Sequence, residues 1–126
     1  MTDISPVVPQ GRQVVESYGG GRFRISGAVW TGSVLLRPDA ALSCPVANFR
    51  DLTLESIKPL TEGGDIPEIL LIGCGSRAEL LPRALREAIR AEGMVADAMD
   101  TGAACRTYNV LMAEDRRVAA ALIAVE

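Results

Sequence analysis

The chain has 126 residues, 48% of them apolar and 23% charged, the composition of an ordinary folded domain rather than a disordered or fibrous chain. That length predicts a single domain over residues 1–126, able to bury about two thirds of its unfolded surface without disulfide or metal staples. The absence of histidine excludes Ser-His-Asp and Cys-His nucleophile activation and imidazole-ligated metal sites, and a net charge of −3 gives no basic excess to attract nucleic acid.

Twelve arginines and Lys58 are scattered without a basic run, so no nucleic acid is expected as a partner. The longest uncharged stretch, Ile25 to Leu36, contains Gly27 and Gly32 and falls short of the ~18 apolar residues a membrane-spanning helix needs. The start, MTDISPVVPQ, carries an acid and two prolines where an export signal needs a basic start and an apolar run, so a cytoplasmic location is expected. Cys44, Cys74 and Cys105 are widely spaced with no CxxC pair, as free buried thiols would be.

Along the chain, residues 1–11 hold Pro6, Pro9 and Gly11 and read as a loose or extended leader. From Gln13 to Cys44 the pattern is that of strands. Phe23 and Ile25 alternate with Arg22, Arg24 and Ser26, and the glycines at 19–21 can supply the positive φ of a hairpin. Short strands follow at about 28–31, 33–37 and 40–43, punctuated by Gly27, Gly32 and Pro38-Asp39. Thr53 then caps one or two helical turns carrying Leu54, Ile57 and Leu60, stopped by Pro59 and Gly63-Gly64.

The run 68–72 between Pro67 and Gly73, apolar from Ile69 onward, predicts a strand buried on both faces. Leu81, Leu85, Ala88 and Ile89 sit at i, i+4, i+7 and i+8, an amphipathic helix ending at Gly93. A strand over 94–99 leads to Asp100 and Thr101, both good caps, and to a helix over about 102–114 burying Ala104, Tyr108, Leu111 and Met112. Residues 118–125 read as a final buried strand, with the alanine triplet 119–121 keeping a helical reading open. The order is a β-rich half, a short helix, then β-α-β-α-β.

Two segments carry functional residue types. GCGSRA at 73–78 follows an apolar strand and matches the G-x-G-x-x-G/A dinucleotide fingerprint, with Asp97 about twenty residues on. That motif starts its helix at the second glycine. Pro82 would then sit near the sixth helical position, at a cost of about 3 kcal/mol; it suits the first turn of a later helix, leaving 74–81 as a loop. The glycines then serve close strand-to-helix packing, and nucleotide or small-molecule binding is the alternative.

The second segment, DTGAACRTYN at 100–109, places Cys105 and Arg106 near a helix start, where free N–H groups lower a thiol pKa or hold an anion. Arg106 offers a fork for a carboxylate or phosphate. The plainer arrangement has Asp100 and Thr101 as caps, Cys105 packed on the sheet and Arg106 paired with a surface acid. It is the one the residues favour, because a thiol here has no imidazole to act as base.

Read as a whole, the sequence resembles a small family of unknown biochemical function that includes assembly factor 3 of mitochondrial respiratory complex I and a cytosolic relative associated with adipogenesis. The likeness is carried by YGGGRFRISG at 18–27, GSVLLRP at 32–38, LLIGCG at 70–75, DTGAACRTYNVL at 100–111 and EDRRVAAALI at 114–123. Relatives often carry a tryptophan within 42–48, where this chain has Cys44-Pro45.

The resemblance implies an α+β fold, a three-layer β/α/β domain with a hammerhead-like β excursion. It also implies a non-enzymatic role without a cofactor, in which the protein binds a protein partner, among them subunits of a respiratory NADH:quinone oxidoreductase, from the cytoplasm at the inner membrane face. The shared positions give a candidate binding surface of Gly73, Gly75, Thr101, Cys105, Arg106, Thr107 and Asn109, with a small anion as a further ligand. The alternative is a small-molecule or nucleotide-binding domain using GCGSRA and Arg106.

Overall fold

The computed structural model describes the backbone of Thr2–Asp3 and residues 11–63 and 65–126. The leader expected over 1–11 therefore lies largely outside the described residues. Its strand β1 (Thr2–Asp3) runs antiparallel to β2 (Val15–Gly19). Next come β3 (Arg22–Ile25) and β4 (Ala28–Thr31), completing a four-stranded sheet of order β1-β2-β3-β4. Gly20 and Gly21, at φ 62° and 76°, form the β2–β3 turn, and Ser26 and Gly27, at φ 47° and 86°, the β3–β4 turn.

A second sheet has the order β6-β5-β9-β7-β8, from β5 (Val34–Arg37), β6 (Ala40–Ser43), β7 (Ile69–Gly73), β8 (Val95–Met99) and β9 (Val118–Leu122). β7 is parallel to both β8 and β9, and β5 is antiparallel to β9. The alanine triplet lies in β9, a strand flanked on both sides; tertiary burial between β5 and β7 overrides its helical propensity.

Helix α1 (Leu54–Ile57) starts at a capping box between Thr53 and Ser56 and continues as a 3-10 turn through Pro59. Helix α2 (Arg83–Ala91) starts directly after Pro82, as expected, and α3 (Thr101–Ala113) is capped by Asp100, whose carboxylate accepts from Ala103 N at 2.9 Å. The crossover β7–α2–β8 steps one way across the sheet and β8–α3–β9 steps back. Right-handed crossovers in opposite directions put their helices on opposite faces.

The core has two compartments accordingly. Leu35, Leu70, Ile72, Ala119 and Ala121 on one face of the second sheet pack with Ile57, Leu60, Leu81 and Ile89 from the α1 and α2 side. On the other face Val34, Leu36, Leu71, Ala120 and Leu122 meet Ala104, Cys105, Tyr108 and Met112 of α3, whose far side meets Val15, Phe23 and Ile25 of the first sheet. Sheet, α3 and sheet are the three β/α/β layers, and α1 and α2 cover the outer face. Among the described residues no helix is long and apolar enough to cross a membrane.

Candidate functional site

Where neighbouring parallel strands send their connections to opposite faces, a crevice opens beyond their carboxyl ends, the usual ligand site of open α/β sheets. Here those ends are Gly73 of β7 and Met99 of β8, so GCGSRA and the start of α3 do come together. The crevice is filled by the chain itself. Thr101 N–H donates to Gly75 O at 2.9 Å, Gly75 N–H donates to Thr101 Oγ1 at 2.9 Å, and that hydroxyl donates to Ile123 O at 2.7 Å. Cys74 N–H donates to Met99 O, and Ile123 N–H to Gly73 O.

Gly73 is a glycine because a Cβ there would lie 2.8 Å from Thr101 Oγ1 and 2.9 Å from Thr101 Cα. Gly75 adopts φ +112°, a region open chiefly to glycine. Both glycines therefore serve the approach of β7 to α3. Helix α2 begins at Arg83, past an extended loop, so its N-terminus is not at Gly75 as the dinucleotide fingerprint requires.

The remaining residues of the candidate surface separate by burial. Thr101, Cys105 and Asn109 are buried with Gly73, while Arg106 is exposed and Gly75 and Thr107 are half-buried. Asn109 Oδ1 accepts from Val15 N–H at 3.0 Å and its Nδ2 donates to Val15 O at 2.8 Å. The ladder between β2 and β3 shifts register between Val15 and Ser17, and the Asn109 amide supplies Val15 with these two bonds. Asn109 is thus a staple between α3 and the first sheet. Tyr108 adds a second, its hydroxyl donating to Gln13 O at 2.9 Å.

Cys105 packs on the sheet, the arrangement the residues favour, and the alternative of a reactive thiol at the helix start is not realised. Its side chain has no exposure, and burial pushes the thiol up to about 12, against the smaller opposing influence of Arg106. Being near a helix N-terminus does not help a thiol that faces the apolar layer. Burial likewise raises Cys44 and Cys74.

Arg106 Nη1 donates to Tyr18 Oη at 3.4 Å. Tyr18 lies over the first turn of α3, and a Cβ on Gly102 would come within 2.3 Å of its hydroxyl. Sequence reasoning missed Tyr18, which is 88 positions from Arg106. Its signal is Gly102, since a glycine inside a helix marks a close approach.

Beyond the carboxyl ends of β7 and β9 a groove of about 330 Å³ is lined by Asn48, Arg50, Cys74, Gly75, Ser76 and Glu79, with residues 123–126 as its other wall. Arg106 does not line it, so the glycine loop and Arg106 do not converge on one ligand. The loop over 76–80 is exposed throughout, Leu80 to 92%. Among the described residues no group of three or more His, Cys, Asp or Glu is placed to hold a metal.

These features define a three-layer β/α/β domain with its switch-point crevice closed from within. The chain belongs to the family described as protein of unknown function (DUF498/DUF598), whose pattern matches residues 15–123. An uncharacterised protein of Rhodobacter capsulatus is 40% identical over 109 residues, 86% of this chain and 82% of that one. NADH dehydrogenase (ubiquinone) 1 alpha subcomplex assembly factor 3 of Xenopus tropicalis is 35% identical over 109 residues, 86% of this chain. The chain spans 60% of that relative's length. The crystal structure of an outer membrane protein from Bartonella henselae superposes with a TM-score of 0.84 at 40% identity, covering 92% of this chain and 98% of that one.

Proposed function

We propose that this protein is a non-enzymatic interaction domain that assists assembly of a respiratory NADH:quinone oxidoreductase, acting from the cytoplasmic side of the inner membrane. The observation that carries this reading is the 35% identity to a complex I assembly factor over 86% of the chain. The sealing of Cys105 and the filling of the switch-point crevice by Thr101 support it, since both remove the usual places for chemistry. The partner surface then includes Arg106 and Thr107 on α3 and, separately, the exposed 76–80 loop with Gly75.

A tagged protein used for capture from gently solubilised cells, beside an Arg106→Ala variant, tests this. Subunits of the respiratory complex are enriched by the wild type and lost with the variant. Enrichment of no such subunit by the wild type contradicts the reading.

A second reading is favoured by one observation, the polar groove holding Gly75, Ser76 and Arg50. There the protein binds a small molecule, nucleotide or small anion. A thermal-shift screen with NAD, FAD, coenzyme A and inorganic phosphate checks it, since a ligand at 100 times its Kd adds about 2.7 kcal/mol. No shift at millimolar ligand removes the reading for those compounds.

A further inference from the structure

The free edge of β4 has the features of a docking strand. β4 is last in its sheet and pairs only with β3. Its residues, Ala28-Val29-Trp30-Thr31, carry no charge and no proline, the devices by which exposed edges are ordinarily protected. The other edges differ: β1 has two residues, β8 carries Asp97 in mid-strand, and β6, though also uncharged, lies beside β5, whose Leu35 is buried on one face and Val34 and Leu36 on the other, with no charged face like that of β3.

The hydrogen-bond parity of β4 follows from the adjoining pair. Gly32 N–H donates to Gly21 O at 2.9 Å. Hydrogen-bonded pairs alternate along an antiparallel ladder, so Phe23–Trp30 and Ile25–Ala28 are bonded pairs. The N–H and C=O groups of Val29 and Thr31 consequently point away from β3, and among the described residues nothing pairs with them.

The two faces of this edge differ in chemistry. Phe23 and Ile25 are buried and Trp30 packs half-buried against their cluster, with Ala28 exposed beside it. On the opposite face are Val29, 61% exposed, and Thr31, with Arg24 and Arg22 directly across on β3. Arg24 pairs with Glu16 at 3.4 Å, while Arg22 has no acidic partner among the described residues. A strand added here meets apolar surface on its inner side and positive charge on its outer side.

We infer that β4 docks an extended segment of a partner polypeptide in which apolar residues alternate with acidic ones, adding a fifth strand to this sheet. The inference rests on the reading of the protein as a partner-binding domain and names the chemistry of that partner. A second copy fits less well, because pairing β4 with itself gathers Arg22 and Arg24 of both chains on one face.

The test uses blocked EVELEVE and KVKLKVK peptides and the emission of Trp30, the one tryptophan of the chain. EVELEVE gives a saturable change and KVKLKVK none. Val29→Pro removes only an outward N–H and leaves the β3–β4 ladder intact, and it weakens EVELEVE binding at least tenfold. Should that variant fail to fold, Arg22→Glu with Arg24→Glu, both surface changes, shifts the preference to KVKLKVK.

Equal binding of both peptides, or undiminished binding by a folded Val29→Pro, overturns the inference. So does self-association of the wild type that Val29→Pro abolishes without any peptide binding. If Val29→Pro still captures respiratory-complex subunits from cells, the partner-binding reading stands and β4 is not its docking edge. If the wild type captures none, that reading itself has failed.

Discussion

Gly75 and Thr101 hold each other by two hydrogen bonds, Gly75 N–H to Thr101 Oγ1 and Thr101 N–H to Gly75 O, each 2.9 Å. They join the ends of neighbouring parallel strands where an open α/β sheet ordinarily keeps room for a ligand. The hydroxyl goes on to Ile123 O at 2.7 Å, tying the third parallel strand into the same knot. Replacing Thr101 by Val removes the hydroxyl and keeps the volume, leaving two backbone groups unpaired. The expected loss is about 2–4 kcal/mol of unfolding free energy by chemical denaturation, largely restored by Thr101→Ser.

Gly73→Ala places a methyl 2.8 Å from the same hydroxyl and 2.9 Å from Thr101 Cα. Backbone cannot step aside as a side-chain tip can, so this substitution costs about 2 kcal/mol or more in the same measurement. An unchanged denaturation midpoint would show that β7 and α3 are less closely pressed than described.

Asn109→Leu strips Val15 of both partners of its N–H and C=O. The loss expected is again roughly 2–4 kcal/mol, and hydrogen exchange of Val15 N–H accelerates with it. A merely surface role for Asn109 predicts neither effect.

Cys105 titrates near 12 when folded against an ordinary value of 9.0. A group with a raised native pKa contributes stability that is complete below its unfolded value and lost on rising through the folded one. Stability therefore declines between pH 9 and 12, by about 1.4 kcal/mol per pH unit from this thiol, and Tyr108, also raised by burial, steepens the decline above pH 10. Cys105→Ala flattens the slope. At neutral pH a thiol reagent modifies Cys105 only after unfolding.

Arg106→Ala removes an exposed side chain whose hydrogen bond to Tyr18 Oη is long, at 3.4 Å. Stability changes by no more than about 0.5 kcal/mol. Capture of the partner is lost nonetheless, and this separates Arg106 from Thr101, Cys105 and Asn109, whose replacement acts on folding first.

Much of this was legible in the order of residues. Alternation at Phe23 and Ile25, the Thr53 cap and the proline before α2 locate their elements because each depends on neighbours a few positions away. Pro82 even separates the glycine loop from the dinucleotide motif that it imitates. Packing of Cys105 on a sheet was legible in a thiol without an imidazole, but burial of Asn109 was not, because it depends on a sheet 80 and more positions earlier lying across α3. One sign was present: Arg106 is the only charged residue in the thirteen of α3, and a helix so poor in charge is covered on most sides. Nothing local marks Asn109, whose partner Val15 is 94 positions away.

If the chain works by binding during assembly of a respiratory complex, deletion of its gene leaves that complex incomplete. Native gels and NADH:quinone oxidoreductase activity of the deletion strain, complemented by wild type or by Arg106→Ala, are the readout. The expected result is depleted, partly assembled complex in the deletion strain, rescue by the wild type and poor rescue by the variant. Full assembly and unchanged activity without the protein would contradict it.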